Sequence, residues 1–540
     1  MEQLARLGVD CVFQVPGESF LPVLDGLVDR PDIRVVTGRQ EGGVAMMAEA
    51  WGKLARAPGV AFVTRGPGAA NACAGLHVAR QDDTPLVLFV GDVPRAVRDR
   101  EAFQEVDWRR SLAGLAKALF VVDHPERLPE FALRAFHLAT AGRPGPVVVV
   151  LPEDVLHARV TGEPVDSPPR PVAAPPAEAV RAVAEELARA RRPLLLVGGG
   201  DWGEAERTAL ERLADRWKLP VATAFRCQDH MDNLHPGYAG FLGIAPPPHL
   251  VARVEETDLL LVVGTRIDEK TAGDYALIRA PVPRARLIHV HPDPAELGRV
   301  FRPARALVAR PLPFLERLAA CPPPADPPWA EETRRLHEAF LAWSTPVPET
   351  ARGVDLARVM GELGRRLPED AVLASGAGNF TLWVHRFARH RRAQTQLAPR
   401  SGSMGYALPA AVAAAVRHPG RTVVAVAGDG DLQMTLQEFA TAVQEEVAPV
   451  VLVADNGGYG TIRMHQRRAF PGRARGSRLV NPDFAALARA MGGFGARVSR
   501  TDEFADAFAE ARRSGRPALL HLLLDPERLV PAPVRADRDH

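Results

Sequence analysis

The stretch VVAVAGDGDLQMTLQEFATAVQEEVAPVVLVADNGGYG, residues 423–460, sets one acid between two glycines where an oily run stops. A second oily run ends in Asn456. Gly428 and Gly430 permit a tight turn and close backbone approach. Helical periodicity resumes in LQMTLQEFATAVQEE, and the free amides of such a helix start attract an anion such as phosphate. Asp429 supplies a hard carboxylate oxygen suited to magnesium. Asn456 follows one helix and one strand later, and the glycines at 457 and 458 free the Gly458 carbonyl to turn inward as a third oxygen. A diphosphate and water would complete the octahedron. Gly-Asp-Gly alone is an ordinary turn. The order strand, Gly-Asp-Gly, helix, strand, Asn is what points to a magnesium diphosphate.

Turns of this kind need buried strands behind them. Two proline-rich stretches, EPVDSPPRPVAAPP (163–176) and CPPPADPPW (321–329), cannot continue a helix or a central strand and suit linkers. They divide the 540 residues into three parts, 1–160, 177–320 and 345–535. Each part alternates short β-branched runs with longer helical patterns, which predicts an α/β fold of three domains, each a mainly parallel sheet flanked by helices. The runs are CVFQVPG, IRVVTG, VAFVTRGPG, PLVLFVGD and PVVVVLPED; then PLLLVGGG, PVATAF, LLLVVGTR and RLIHVHPD; then AVLASGAGN, TVVAVAGDG, VVLVADNGG and PALLHLLLDPE. In nearly all of them Gly, Pro or Asp stands at the carboxyl end, where open α/β sheets bind ligands.

Bulk properties exclude some partners. Lys plus Arg (67) almost balance Asp plus Glu (65), which argues against a nucleic-acid or anionic-membrane surface. No apolar run reaches the roughly 18 residues of a membrane span. The start, MEQLARLGVD, lacks the pattern of a signal peptide, so a cytoplasmic location is expected. Cys11, Cys73, Cys227 and Cys321 are scattered without a CxxC, so neither disulfides nor zinc is expected.

The 423–460 segment resembles the signature of thiamine diphosphate (ThDP) enzymes, and the resemblance extends over nearly the whole chain, most closely to the acetolactate synthase-like branch. GSMGYALPAAVAAAV (402–416) resembles that family's segment under the thiazolium ring, and RQEGGVAMMAEAWGKL (39–54) the segment carrying its activating glutamate. TRGPGAANACAGLHVARQDDTPLVLFVGD and EAFQEVD resemble its active-site loop and the strand after it. The resemblance implies a ThDP-binding fold: an N-terminal pyrimidine-binding domain, a Rossmann-like middle domain and a C-terminal diphosphate- and magnesium-binding domain. The family's usual Asn-Asn is here Asp455-Asn456, which keeps the metal-ligand position. The chain begins late relative to most members, which implies a shortened first helix.

The same resemblance assigns roles. Glu41 would stand beside N1′ of the pyrimidine and share a proton with it, so that the 4′-nitrogen can take up the C2 proton; the plain alternative is a glutamate capping the helix that follows. Met404, between Gly402 and Gly405, would be the apolar wedge that keeps the cofactor bent. Asp429, Asn456 and the Gly458 carbonyl would hold magnesium. Gly428, Gly430, Asp431, Ser375, Gly376 and Tyr459 would meet the cofactor around its diphosphate end. Glu41 and the metal site would serve one cofactor from two subunits, implying a homodimer or homotetramer. The Gly-rich strand ends VGGG and VVGTR are compatible with the non-redox FAD of acetolactate synthases, but FAD is not expected.

Substrate residues are less defined. Glyoxylate carboligase-like and benzaldehyde lyase-like members lack the activating carboxylate, whereas Glu41 is present. Pyruvate decarboxylase-like members carry an adjacent His pair, and ARQDDTPL has none; His77 is alone. A site poor in proton-donating acids favours carboligation of a small 2-oxo acid to a second carbonyl compound. The alternatives are a non-ligating 2-oxo acid decarboxylase or C–C hydrolase, or a catalytically silent ThDP-binding protein. Gly17 and Gln104 are candidate substrate contacts. Lys270, in GTRIDEK, stands where synthases have the Arg that holds the acceptor carboxylate, and lysine lacks its planar fork. His465, in TIRMHQ, stands where they have the acceptor-gating Trp.

Overall fold

The computed structural model describes residues 1–160, 163–168, 170–347 and 352–532. Pro169 of the first linker and residues 348–351 and 533–535 of the third expected domain lie outside them. Among the described residues no helix is long and apolar enough to cross a membrane.

The runs of Val, Leu and Ala that stop at Gly, Pro or Asp form three six-stranded parallel sheets. The first comprises β1 (Cys11–Gln14), β2 (Arg34–Thr37), β3 (Gly59–Val63), β4 (Leu86–Asp92), β5 (Ala118–Val121) and β6 (Pro146–Pro152), in the order β2-β1-β3-β4-β6-β5. The second comprises β7 (Pro193–Val197), β8 (Val221–Thr223), β9 (Tyr238–Phe241), β10 (Leu259–Val263), β11 (Arg286–His291) and β12 (Arg305–Val308), in the order β12-β11-β10-β7-β8-β9. The third comprises β13 (Val372–Ser375), β14 (Gln396–Leu397), β15 (Val423–Gly428), β16 (Val450–Asp455), β17 (Phe494–Val498) and β18 (Ala518–Leu523), in the order β14-β13-β15-β16-β18-β17. Every residue of β4, β6, β7, β10 and β15 is buried, as parallel strands covered on both faces must be.

Counted from its own first strand, the third sheet has the same order as the first. In both, the order reverses between the first and third strands, β1 and β3 in one and β13 and β15 in the other. Ligand crevices open at such points. The middle sheet is doubly wound, with its reversal between β7 and β10.

The first and third sheets share one core. Phe13, Val63 and Val90 belong to the same apolar cluster as Val372, Ala425 and Leu519. Between the sheets lie the helices Glu41–Ala55 and Ala407–Arg417. The second is mostly alanine, buried from Ala407 to Val416, and small side chains let the two helices approach closely.

Five strands went unread in the sequence: β5, β9, β12, β14 and β17. All five lie at a sheet edge. The helix after Gly-Asp-Gly also differs from the expectation. It starts at Asp429, runs a single turn to Leu432, and helix resumes over Glu438–Gln444.

Candidate cofactor site and activating carboxylate

A cavity of 210 Å³ opens at the reversal point between β13 and β15. Its floor is Gly428–Asp431, one wall is Ala377–Phe380, and the opposite wall carries Asn456 and Gly458–Thr461. The two glycines of the floor are needed for space rather than for the turn. Gly428 has φ −77 and Gly430 is not left-handed. A Cβ on Gly430 would lie 2.6 Å from the Tyr459 ring, and one on Gly428 3.1 Å from the Phe380 ring. The one-turn helix offers little macrodipole to an anion.

Asp429 and Asn456 meet at this cavity. Asp429 Oδ2 accepts from Gly458 N at 2.8 Å and from Asn481 Nδ2 at 2.7 Å. Burial, with the charge of Asp455 beside it, pushes the Asp429 carboxyl up to about 6. Asn456 Oδ1 is buried and meets no donor. A buried carboxylate and an orphaned amide oxygen at one cavity form the donor set of a hard cation, so the residues present fit Mg²⁺. Asp455 is tolerated beside the ligand because its charge is taken up locally. Burial alone would raise it, but His521 Nε2 at 2.7 Å, Gly457 N at 2.9 Å and Asn481 Nδ2 at 2.8 Å hold it below the usual carboxylate range. Asn481 and His521 were not singled out from sequence.

Asp431 lines the cavity, but its carboxylate turns back into the protein. Oδ1 accepts from Gly405 N at 2.8 Å and Ala377 N at 3.2 Å, and burial pushes the group up to about 6. It thereby ties the floor to the wall and to the loop bearing Met404. Gly402 and Gly405, at φ 70 and 85, form that loop, and Thr435 Oγ1 donates to the Gly405 carbonyl at 2.6 Å. Met404 is so held with its side chain at the cavity. Ser375 and Gly376 do not reach the cavity. Ser375 is buried at the end of β13, the Gly376 amide donates to Val426 O at 3.2 Å, and a Cβ on Gly376 would strike Asp431 Oδ2 at 2.0 Å. The next four residues, Ala377–Phe380, line the cavity instead. Among these Asn379 is fixed by Thr461 Oγ1, which donates to its Oδ1, and by its own bond to Leu529 O, both at 2.8 Å.

Glu41 is the first residue of its helix and is 9% exposed. The capping role falls to Gln40, whose side chain accepts from Gly43 N at 3.0 Å. Glu41 is left free for another partner: Asn71 Nδ2 donates to Oε2 at 2.9 Å, and Oε1 lies 3.1 Å from where a Cβ on Gly68 would be. Asn71, in GPGAAN, was missed because only the fold brings it to Glu41. Gly17 and Gln104 sit on the loops of the same sheet. A Cβ on Gly17 would strike Thr64 at 2.4 Å, and Gln104, itself at φ 63, closes over Gly66. Within one chain Glu41 is not part of the cavity lined by Asp429 and Asn456.

The structure does not bring Lys270 or His465 to that cavity either. Lys270 is 42% exposed and its ammonium pairs with Glu269 at 2.9 Å and Asp274 at 2.7 Å on its own loop. His465 is exposed on the helix Gly460–Ala469, one turn beyond the cavity wall, with Arg468 at 3.3 Å.

At the reversal point of the middle sheet backbone packs closely on backbone, leaving a small cavity of 40 Å³ lined by Gly199, Gly200 and Trp202. A Cβ on Gly199 would lie 2.0 Å from Gly264 O, and one on Gly264 2.5 Å from Gly198 O. Trp202 covers the gap, donating from Nε1 to Gly198 O at 2.7 Å, and Gly200 abuts Asp83 O of the first domain. The glycine run serves this close packing of backbone on backbone. Purified protein is expected to show no flavin absorption band in the visible; a stoichiometric band would refute this.

Three stretches match domains described for one family. Residues 1–110 match the thiamine pyrophosphate enzyme N-terminal TPP binding domain, 180–318 its central domain, and 376–522 its C-terminal TPP binding domain. The chain belongs to the thiamine diphosphate-dependent enzymes, in their acetolactate synthase-like branch. It is 33% identical over 528 residues to the acetolactate synthase isozyme 2 large subunit of Escherichia coli, covering 97% of this chain and 94% of that one. It is 31% identical over 535 residues to an acetolactate synthase large subunit of Mycobacterium tuberculosis, covering 95% and 85%. With a probable acetolactate synthase large subunit of Methanocaldococcus jannaschii it shares 30% identity over 550 residues, covering 98% and 92%.

Proposed function

We propose that this enzyme uses ThDP and Mg²⁺ to decarboxylate a small 2-oxo acid and join the remaining acyl unit to a second carbonyl compound. The observation that carries this reading is the orphaned Asn456 Oδ1 beside the buried Asp429 carboxylate, in a chain alike to acetolactate synthases along nearly its whole length. Bound ThDP supplies an electron sink for the electrons released on decarboxylation. Asp429, Asn456 and the Gly458 carbonyl would hold the metal, the amides of the Gly428–Asp431 turn and Asn379 would orient the diphosphate, and Met404 would exclude water from one face. Glu41 would hold a proton at the pyrimidine N1′. Because Glu41 does not line its own chain's cavity, the working unit would be a homodimer, or a tetramer of two such dimers, with each site at a subunit interface. We place the enzyme in the cytoplasm and assign it no flavin.

Product analysis after incubation with ThDP, Mg²⁺ and pyruvate, with and without 2-oxobutyrate, tests the proposal. Acetolactate or acetohydroxybutyrate would support it. Acetaldehyde would favour the second reading, a non-ligating decarboxylase, for which the exposure of Lys270 and His465 speaks. No product from a ThDP-loaded protein across a panel of 2-oxo acids would overturn both.

Lys270 is assigned to the surface, since its charge is already shared between two carboxylates. A side chain so paired on its own loop has no part in acceptor binding, so Lys270→Ala is expected to leave the acceptor KM unchanged. A rise confined to anionic acceptors would return it to the site.

A further inference from the structure

Two amides just before Glu41 turn away from the first domain. Arg39 N and Gln40 N donate to Glu438 Oε1 at 3.2 and 3.0 Å, and Thr441 Oγ1 donates to its Oε2 at 2.7 Å. Glu438 is 0% exposed and opens the helix that follows the Gly-Asp-Gly turn in the third domain. The first domain is shaped around this carboxylate. A Cβ on Gly43 would lie 2.8 Å from Oε1, and one on Gly38 3.4 Å from Oε2. A carboxylate at the start of a 15-residue helix is favoured by the free amides and the dipole there, but Gln40 already serves as the N-cap. What Glu438 adds is a fixed direction for the backbone of residues 39 and 40, immediately before Glu41.

We propose that Glu438 is a positioning residue for Glu41: it sets the angle at which the activating carboxylate leaves its helix. The assignment rests on the reading of Glu41 given above. A second anchor on the same helix supports it. Tyr406 Oη donates to Glu49 Oε2 at 2.5 Å, Lys53 Nζ to Asp82 Oδ2 at 2.6 Å, and Arg400 N to Asp82 Oδ1 at 2.8 Å. The helix Glu41–Ala55 is thus fastened at its start to Glu438 and further along to the Arg400–Tyr406 segment that carries Met404. Both fastenings come from the third domain of the same chain. In an assembly with shared sites, the cradle of one site would then carry the activating group of the other.

The test uses the whole enzyme and three readouts: amide hydrogen exchange over residues 38–43, ThDP affinity with saturating Mg²⁺, and the exchange rate of the C2 proton of bound ThDP. Glu438→Ala is expected to lose protection at residues 39 and 40 and to slow C2 exchange about 10- to 100-fold, with ThDP affinity held within about twofold. Glu438→Gln should recover most of the rate, because its amide oxygen can still accept both N–H groups while its NH₂ faces the Thr441 hydroxyl. Gly43→Ala presses a methyl onto the carboxylate in a helix that favours alanine, so it should give the same defect even if Glu438→Ala does not fold. Unchanged C2 exchange in whichever of these two variants folds would overturn the proposal, as would a loss of ThDP affinity as large as the loss of rate. Glu41→Gln measured alongside separates the two assignments. If it leaves C2 exchange intact, the reading of Glu41 fails. If it abolishes exchange while the Glu438 and Gly43 variants do not, the positioning role fails.

Discussion

Asp429→Asn should make the cofactor-free protein more stable and deprive it of its cofactor. The native carboxylate is buried beside Asp455, and its pKa of about 6 stands above the ordinary 3.8. A folded-state pKa above the unfolded one gives stability that is complete below about pH 4 and lost as pH rises through about 6. At pH 7 the full penalty is present, and a shift of this size corresponds to about 1–3 kcal/mol after allowance for coupling to Asp455. Asparagine is isosteric, and its oxygen can still accept from Gly458 N and Asn481. Thermal unfolding of the metal-free variant at pH 7 should therefore rise, while the loss of stability between about pH 4 and 6 should shrink, the remainder coming from Asp431, which burial also pushes up to about 6. In the wild type, ThDP and Mg²⁺ at about 1,000 times Kd should add about 4 kcal/mol. In Asp429→Asn that increment should vanish, because the cation loses its charged ligand. A variant that keeps the full ligand-induced rise in Tm would refute the metal assignment.

The second large effect concerns Glu41. Glu41→Gln keeps the shape of the side chain and an oxygen for Asn71 Nδ2, so the helix start and the fold should survive. It cannot exchange a proton with a bound pyrimidine. Turnover is expected to fall about 10²- to 10⁴-fold, the range of a lost general acid–base group, with ThDP affinity little changed. The Asp429 and Glu41 variants should thus differ in kind. One loses the cofactor, and the other binds it and stalls. Equilibrium binding of ThDP measured beside kcat distinguishes them, and wild-type kcat in Glu41→Gln would remove Glu41 from the chemistry. If each site is shared, mixing the two inactive variants should form heterodimers with one intact site and restore part of the activity.

The central strands and the turn proposed to hold the metal were legible because their determinants are local. A strand covered on both faces must be an unbroken apolar run, so β4, β6, β10 and β15 read directly from the chain. An edge strand has one neighbour and a lighter demand for apolar residues. RALV in β12 and FGARV in β17, with their arginines, gave no signal above that of a loop. Asp429, Asn456 and the glycines between and after them lie at the ends of adjacent strands, and their spacing along the chain carries their spacing in the fold. Glu41 was legible through its place between a strand and an oily helix.

What the sequence by itself determined is therefore the inventory: three α/β units, a Gly-Asp-Gly turn at the end of a buried strand, and one glutamate at the head of a buried helix. Partnership was decided by tertiary structure. Asp431 stands where the family commonly has a small residue, so its side chain could be expected to turn away; the fold supplied the partners, the amides of Gly405 and Ala377 from two distant segments. Ser375 and Gly376 stop short of the cavity that Asn379 and its neighbours line, because Ser375 is buried in β13 and Asp431 fills the space beside Gly376. Asn71, Asn481, His521 and Glu438 gained their roles from residues 30 to 399 positions away. Strand and turn chemistry is written in neighbours a few residues apart, whereas a hydrogen bond across a shared core depends on a packing that no local pattern encodes.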